Sequence, residues 1–284
     1  MASGHERSGC CERQDGTVMM PSGSVVIRSL DGIELSATVL TPDRPVAGVV
    51  LVHGGGVTRE EGGFFTRLAE ALEASGVASL RLDLRGHGTS GGRQEDLTLA
   101  GVANDVRAAG EYLASDVRLR TVGVVGASFS GGACAMLAAR RPQLVDRLVL
   151  FNPLLDYKKR FIDDKDYWSD DRIDGSGAER LVTDGYVAHS PSFRLGRALL
   201  NEVFWVDARA ELARVEAPTL LVHGTRDTFI PIESSRAASG VHELMEIEGA
   251  QHGIAVHDDP GYRDPQTQEW QRAVIDRTAR WFTG

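Results

Sequence analysis

The chain alternates two hydrophobic patterns. Short, nearly continuous apolar runs rich in β-branched residues occur at 46–52, 77–84, 121–127, 148–151, 218–222 and 243–247. Between several of them lie longer stretches whose apolar residues recur on a helical period, as with Phe64, Leu68, Ala71 and Leu72, or Val102, Val106, Ala109 and Leu113. Continuous apolar runs predict strands buried on both faces, which is the state of strands in a parallel sheet sandwiched between helices. The spacing predicts helices over 64–75, 97–113, 233–238 and 266–282, the first closed by Gly76. Ahead of these, 24–29 and 33–40 read as strands joined by an Asp31-Gly32 hairpin turn. Strand and helix in strict alternation predict an α/β fold with a doubly wound, mostly parallel sheet covered on both faces.

The rhythm breaks at 154–205. This stretch mixes charges with aromatics, as in 156–168, and has helical spacing around 176–187 and 193–204. An insertion of this length after a strand of a parallel sheet stands where a cap over a site belongs, so the expected organisation is a core of 23–153 and 206–284 interrupted by a helical cap over 154–205. Residues 1–22, rich in Gly, Ser and charge, read as a disordered leader without the apolar core of a secretory signal.

Composition narrows the function. The net charge of -9 and the lack of basic clusters interleaved with aromatics exclude a nucleic-acid binder. No apolar run approaches the ~20 residues of a membrane span. Three cysteines, Cys10, Cys11 and Cys134, make no disulfide framework and no zinc-type spacing, so no metal is expected, and without a secretory signal the cytoplasm is the default location.

The chemistry concentrates where strands end. The stretch 121–140 passes from an apolar strand to an Ala-rich helix through Gly126-Ala-Ser128-Phe-Ser130-Gly-Gly132. Such a turn needs small neighbours and lifts Ser128 above the sheet edge at a helix N-terminus, where free N–H groups favour a developing negative charge. The pattern Gly-x-Ser-x-Ser departs by one residue from the Gly-x-Ser-x-Gly nucleophile elbow. A serine hydroxyl needs an imidazole to remove its proton, and the imidazole needs a carboxylate to fix its tautomer. Asp227 in His223-Gly-Thr-Arg-Asp227 and His252 in Gly249-Ala-Gln-His252 supply both, each after a later strand.

With these motifs in place the chain resembles an α/β-hydrolase of the serine esterase type, over most of 24–284, and is similar to the cinnamoyl and feruloyl esterases with their inserted cap. The resemblance implies a triad of Ser128, Asp227 and His252, and an oxyanion hole from the N–H groups of Gly55, in His53-Gly54-Gly55, and Phe129. It also marks Arg85-Gly-His-Gly88 and Asn152-Pro153 as scaffold loops. The implied chemistry is hydrolysis of a carboxylic ester of small or medium size without a cofactor. A thioesterase, lactonase or acyl-transferring cyclase is the alternative, as is a ligand-binding relative of low turnover. The implied partner is a small-molecule ester or thioester, with neither nucleic acid nor membrane; a homodimer is left open.

Some positions have rivals. His257 competes with His252, and Asp156 with Asp227. His53, His87 and His223 read as histidines that fix loops, Asp83 as a structural partner of its loop, and Cys134 as a small core residue. Ser130 reads as a small filler beside the nucleophile. Tyr157, Tyr167 and Trp168 are candidate substrate-binding residues of the cap, and Lys158, Lys159 and Arg160 could meet an anionic carrier at a pocket mouth.

Overall fold

A computed structural model describes residues 22–115 and 117–284. The expected leader therefore lies, but for Ser22, outside the described residues. The first strands, β1 (Gly23–Arg28) and β2 (Glu34–Leu40), form the hairpin that Asp31-Gly32 predicts. Then follow β3 (Ala47–Val52), α1 (Phe64–Ala74), β4 (Val77–Leu82), α2 (Leu99–Ser115), β5 (Val122–Ala127), α3 (Ser130–Arg140) and β6 (Leu148–Phe151).

After β6 come the two-residue strands β7 (Trp168–Ser169) and β8 (Arg172–Ile173), α4 (Gly175–Thr183), β9 (Tyr186–Ser190), β10 (Phe193–Gly196) and α5 (Arg197–Glu202). The chain closes with α6 (Ala208–Leu212), β11 (Thr219–Gly224), α7 (Glu233–Ala238), β12 (Glu243–Ile247) and α8 (Pro265–Thr283).

Eight strands form one sheet in the order β1-β2-β4-β3-β5-β6-β11-β12. Only β2 runs against its neighbours; β4-β3-β5-β6-β11-β12 are parallel throughout. Alternation along β3 explains why its residues are apolar without exception. Val49 and Leu51 face the cluster built with α1 and α8, while Val50 and Val52 face the one built with α2 and α3. A strand buried on both faces has no position left for a polar side chain.

The segment between β6 and α6 differs from its sequence reading. The helix expected at 176–187 ends at Thr183, and the one expected at 193–204 begins as a strand and turns helical only at Arg197. There β9 and β10 pair as an antiparallel hairpin, with Phe193 and Leu195 buried and Arg194 exposed, which is the period of a strand. Only the six residues of α5 remain helical. This segment is tied to the core at its far end. The Glu202 carboxylate accepts from the N–H groups of Leu99 (2.5 Å) and Ala100 (3.0 Å), capping α2. Gln94 exchanges hydrogen bonds with Ser192 and Arg194.

Under the loops at the carboxyl ends of the strands sits His53, fully buried. Its Nε2 accepts from the Leu84 N–H (3.0 Å), which leaves Nδ1–H to donate to the Gly54 carbonyl (2.6 Å). Burial, with some help from neighbouring His87, pushes its pKa down to about 3. Below the ordinary histidine value the unfolded chain takes up a proton that folded His53 refuses, so its contribution to stability falls as pH drops. The slope from this residue should be about 1.4 kcal/mol per pH unit between roughly pH 6.5 and the folded value. Urea unfolding at several pH values should show His53→Gln with a slope shallower by about one proton than the wild type. Equal slopes would show that His53 is not held neutral.

Candidate active site

Ser128 stands at the β5–α3 junction with φ of 49°, a left-handed backbone. That conformation is uncommon outside glycine and has to be held by its surroundings. Here the Ser128 N–H donates to the Phe151 carbonyl (2.8 Å), and its own carbonyl accepts from Gly131 (3.0 Å) and Leu154 (2.9 Å). Ser130 is more than a filler. Its hydroxyl is fully buried, lies 2.9 Å from the Val52 carbonyl and accepts from the Ala127 N–H (3.0 Å), so it bolts the end of β5 to the end of β3. Gly132 is required by close approach: a Cβ there would stand 2.5 Å from the Tyr157 ring.

His252 reaches the serine from the loop after β12. Its Nε2 is 2.9 Å from Ser128 Oγ, and its Nδ1 is 2.7 Å from Asp227 Oδ2. An ionised carboxylate only accepts, so Nδ1 carries the hydrogen and Nε2 offers its lone pair to the serine O–H. Asp227 takes two further hydrogen bonds on Oδ1, from the N–H groups of Phe229 (2.8 Å) and Ile230 (2.9 Å). Burial opposes its charge. Hydrogen bonding to His223 and His252 outweighs it, and the carboxyl is held below the ordinary aspartate value. His223 fixes this loop, with its ring nitrogens on Ser235 Oγ and the Ile230 carbonyl, each at 2.8 Å.

The loop after β3 distributes its N–H groups. Gly54 donates to Glu61 Oε2 (2.8 Å) and Gly56 to His87 Nε2 (3.1 Å). Between them, the Gly55 N–H has no acceptor among the described residues, nor has the N–H of Phe129 at the start of α3. His87 is kept from protonating by burial, as its acceptor role requires. Asp83 accepts from the N–H groups of Arg59 (2.8 Å) and Thr89 (3.0 Å), and buried Arg85 pairs with Asp105 of α2 at 2.6 Å, so both serve the scaffold.

A cavity of about 190 Å³ opens beside the serine, walled by Gly54, Gly55, Glu61, Phe64, Ser128, Phe151, Asn152, His252, Ile254 and Tyr262 among others. Burial pushes the carboxyl of Glu61 above the ordinary glutamate value, and burial likewise raises the Tyr262 phenol, with Glu61 adding to the effect. Neither residue was singled out by the sequence. The only local trace of Glu61 was the Glu60-Glu61-Gly62-Gly63 turn, and Tyr262 left none. Phe229 is a third addition: its ring stacks on His252 at 5.4 Å, with Arg160 over its face at 5.6 Å.

Ser128, Asp227 and His252 are thus brought together, with Gly55 and Phe129 beside them. The aromatic candidates of the 154–205 segment are not among the walls of the cavity. Tyr157 is buried behind the elbow and donates to the Phe129 carbonyl at 2.6 Å. Tyr167 lies under Arg180, and Trp168 packs on Phe204. Phe193 of β10 comes closer: its ring is 5.0 Å from that of Phe129, and it lies where a side chain on Gly55 would go. Of the rivals, Asp156 pairs with Arg209 at 3.1 Å, and exposed His257 faces Asp258. Lys158 pairs with Asp163 and Asp171, and Lys159 with Asp164. Cys134 is a buried thiol whose pKa burial pushes up to about 12.

Residues 43–169 match the family model described as "Serine aminopeptidase, S33". The chain is similar to the monoacylglycerol lipase of Mycolicibacterium smegmatis, 27% identical over 282 residues that cover 88% of this chain and 93% of that protein. Among solved structures it resembles Est1E of Butyrivibrio proteoclasticus with ferulic acid bound, with a TM-score of 0.75 at 22% identity over 92% of this chain and all of that one. It also resembles the monoacylglycerol lipase of Paleococcus ferrophilus, with a TM-score of 0.62 at 24% identity, covering 87% and 99% of the two chains.

The hydrogen bond of Tyr157 to the elbow gives a test of the packing. Tyr157→Phe keeps the ring against Gly132 and removes only the hydroxyl, so urea unfolding should show a loss of about 1 kcal/mol. An unchanged midpoint would mean that the elbow is held without it.

Proposed function

We propose that the chain, whose fold is that of the α/β-hydrolases, belongs to that superfamily and is a serine hydrolase cleaving a carboxylic ester of small or medium size. The observation that carries this reading is the continuous path Ser128 Oγ–His252 Nε2 (2.9 Å) and His252 Nδ1–Asp227 Oδ2 (2.7 Å) at the mouth of a cavity. His252 takes the Ser128 proton as Oγ attacks the ester carbonyl carbon, and Asp227 stabilises the imidazolium so formed. The oxyanion of the tetrahedral intermediate falls to the N–H groups of Gly55 and Phe129, which have no acceptor among the described residues. His252 then gives its proton to the leaving alkoxide. Water, deprotonated by the same imidazole, attacks the acyl-enzyme and releases the acid.

The names of the similar proteins, a monoacylglycerol lipase and the ferulic-acid-bound Est1E, favour the same bond type. We read residues 154–205 as the cap, because Phe193 packs on Phe129 and Arg160 stands over Phe229 from that segment. The thioester alternative would draw on Lys158 and Lys159 at the mouth, and both are neutralised by aspartates.

Intact mass after a fluorophosphonate should show one adduct on the wild type and none on Ser128→Ala. Adducts on both, or on neither, would overturn the assignment of the nucleophile. Asp227→Asn keeps the shape of the side chain but can present an amide N–H to His252 and so favour the wrong tautomer, which should lower kcat for an ester on the order of 10⁴-fold. Asp156→Asn should leave it close to wild type. The reverse outcome would move the acid to Asp156.

A further inference from the structure

The mechanism leaves two polar residues of the cavity without a task, Glu61 and Tyr262. We propose that the cavity beside Ser128 seats a short, hydroxyl-bearing part of the substrate, hydrogen-bonded by Glu61 and Tyr262. The proposal rests on the serine hydrolase reading and names the substrate class for it.

Size is the first argument. At about 190 Å³ the cavity lies below the roughly 300–1,000 Å³ of pockets that enclose drug-sized ligands, so it holds a group of a few heavy atoms rather than a long alkyl chain. Unused hydrogen-bonding capacity is the second. Glu61 spends Oε2 on the Gly54 N–H, while Oε1 has no donor among the described residues. The Tyr262 hydroxyl has no partner there either, and the buried Nδ2 of Asn152 in the same wall is unpartnered.

The third argument is the backbone that brings these groups here. Glu61, Gly62 and Gly63 are left-handed in succession (φ 44°, 63° and 90°), and Tyr262 is left-handed too (φ 50°). A Cβ on Gly62 or Gly253 would strike the Tyr262 side chain, at 2.7 and 2.5 Å, so the phenol is packed between two residues that leave room for it. A plain alkyl group in this seat would displace water and leave these polar groups unpaired, whereas a hydroxyl both donates and accepts.

Two pairs of esters test this, because the hydroxyl can belong to the acid or to the alcohol. One pair is 4-nitrophenyl butyrate and 4-nitrophenyl 3-hydroxybutyrate; the other is propyl butyrate and 2,3-dihydroxypropyl butyrate. In one pair the hydroxylated ester should be favoured in kcat/KM by about tenfold or more. Tyr262→Phe and Glu61→Ala should each cut that preference severalfold, and Glu61→Gln, which keeps an acceptor for Gly54 and can still hydrogen-bond a hydroxyl, should retain most of it. If Glu61→Ala does not fold, Tyr262→Phe decides. Equal rates within both pairs, or a wild-type preference that survives Tyr262→Phe, overturn the seat while leaving the hydrolase reading intact. Failure of all four esters together with no fluorophosphonate adduct overturns both.

Discussion

A serine with a left-handed backbone has to be kept there by the groups around it, and at Ser128 every backbone polar atom is committed. Its N–H is held by the end of β6, and its carbonyl receives one N–H from the first turn of α3 and one from the chain that leaves β6. These three bonds join two parallel strands and a helix at one residue. They leave the side chain as the one part of Ser128 free to face outward. Ser130 adds a cross-brace to β3, so the strand carrying the His53-Gly54-Gly55 loop and the strand carrying Ser128 end in register. A local conformational cost is offset by cooperative packing over the whole centre of the sheet.

Around that turn, the electrostatics are governed by which groups are kept neutral. His53 and His87 each use a ring nitrogen as an acceptor of a backbone N–H, a role a protonated imidazole cannot fill, and burial enforces it. Asp227 is the reverse case. It is buried too, yet several donors converge on it and keep it ionised. The same physical term, loss of water, thus selects neutral bases in the loop that offers N–H groups and is overruled where a charge is needed.

Much of this was legible in the sequence for a simple reason. Strands buried on both faces, such as β3 and β5, must be apolar without break, so polar residues that follow them stand out, and Ser128, Asp227 and His252 all lie just past a strand. The hairpin of β9 and β10 was harder to see. Phe193 and Leu195 alternate over only four residues, and the apolar residues of α5 follow at once, so the run mimics a helical period. Glu61 and Tyr262 were out of reach for another reason. They meet through two left-handed turns far apart in the chain, and neither turn has a hydrophobic period that would announce it.

The tie that Glu202 makes between the 154–205 segment and α2 has mechanical consequences. Its carboxylate closes the N–H groups at the start of that helix, and nearby Gln94 grips the chain on both sides of Phe193. Swinging the whole segment away like a door would uncap a core helix and break the four hydrogen bonds of Glu202 and Gln94 at once. For the function proposed above, substrate and product would have to pass a frame held in place, beside Phe229, which is stacked on His252 with Arg160 over its face.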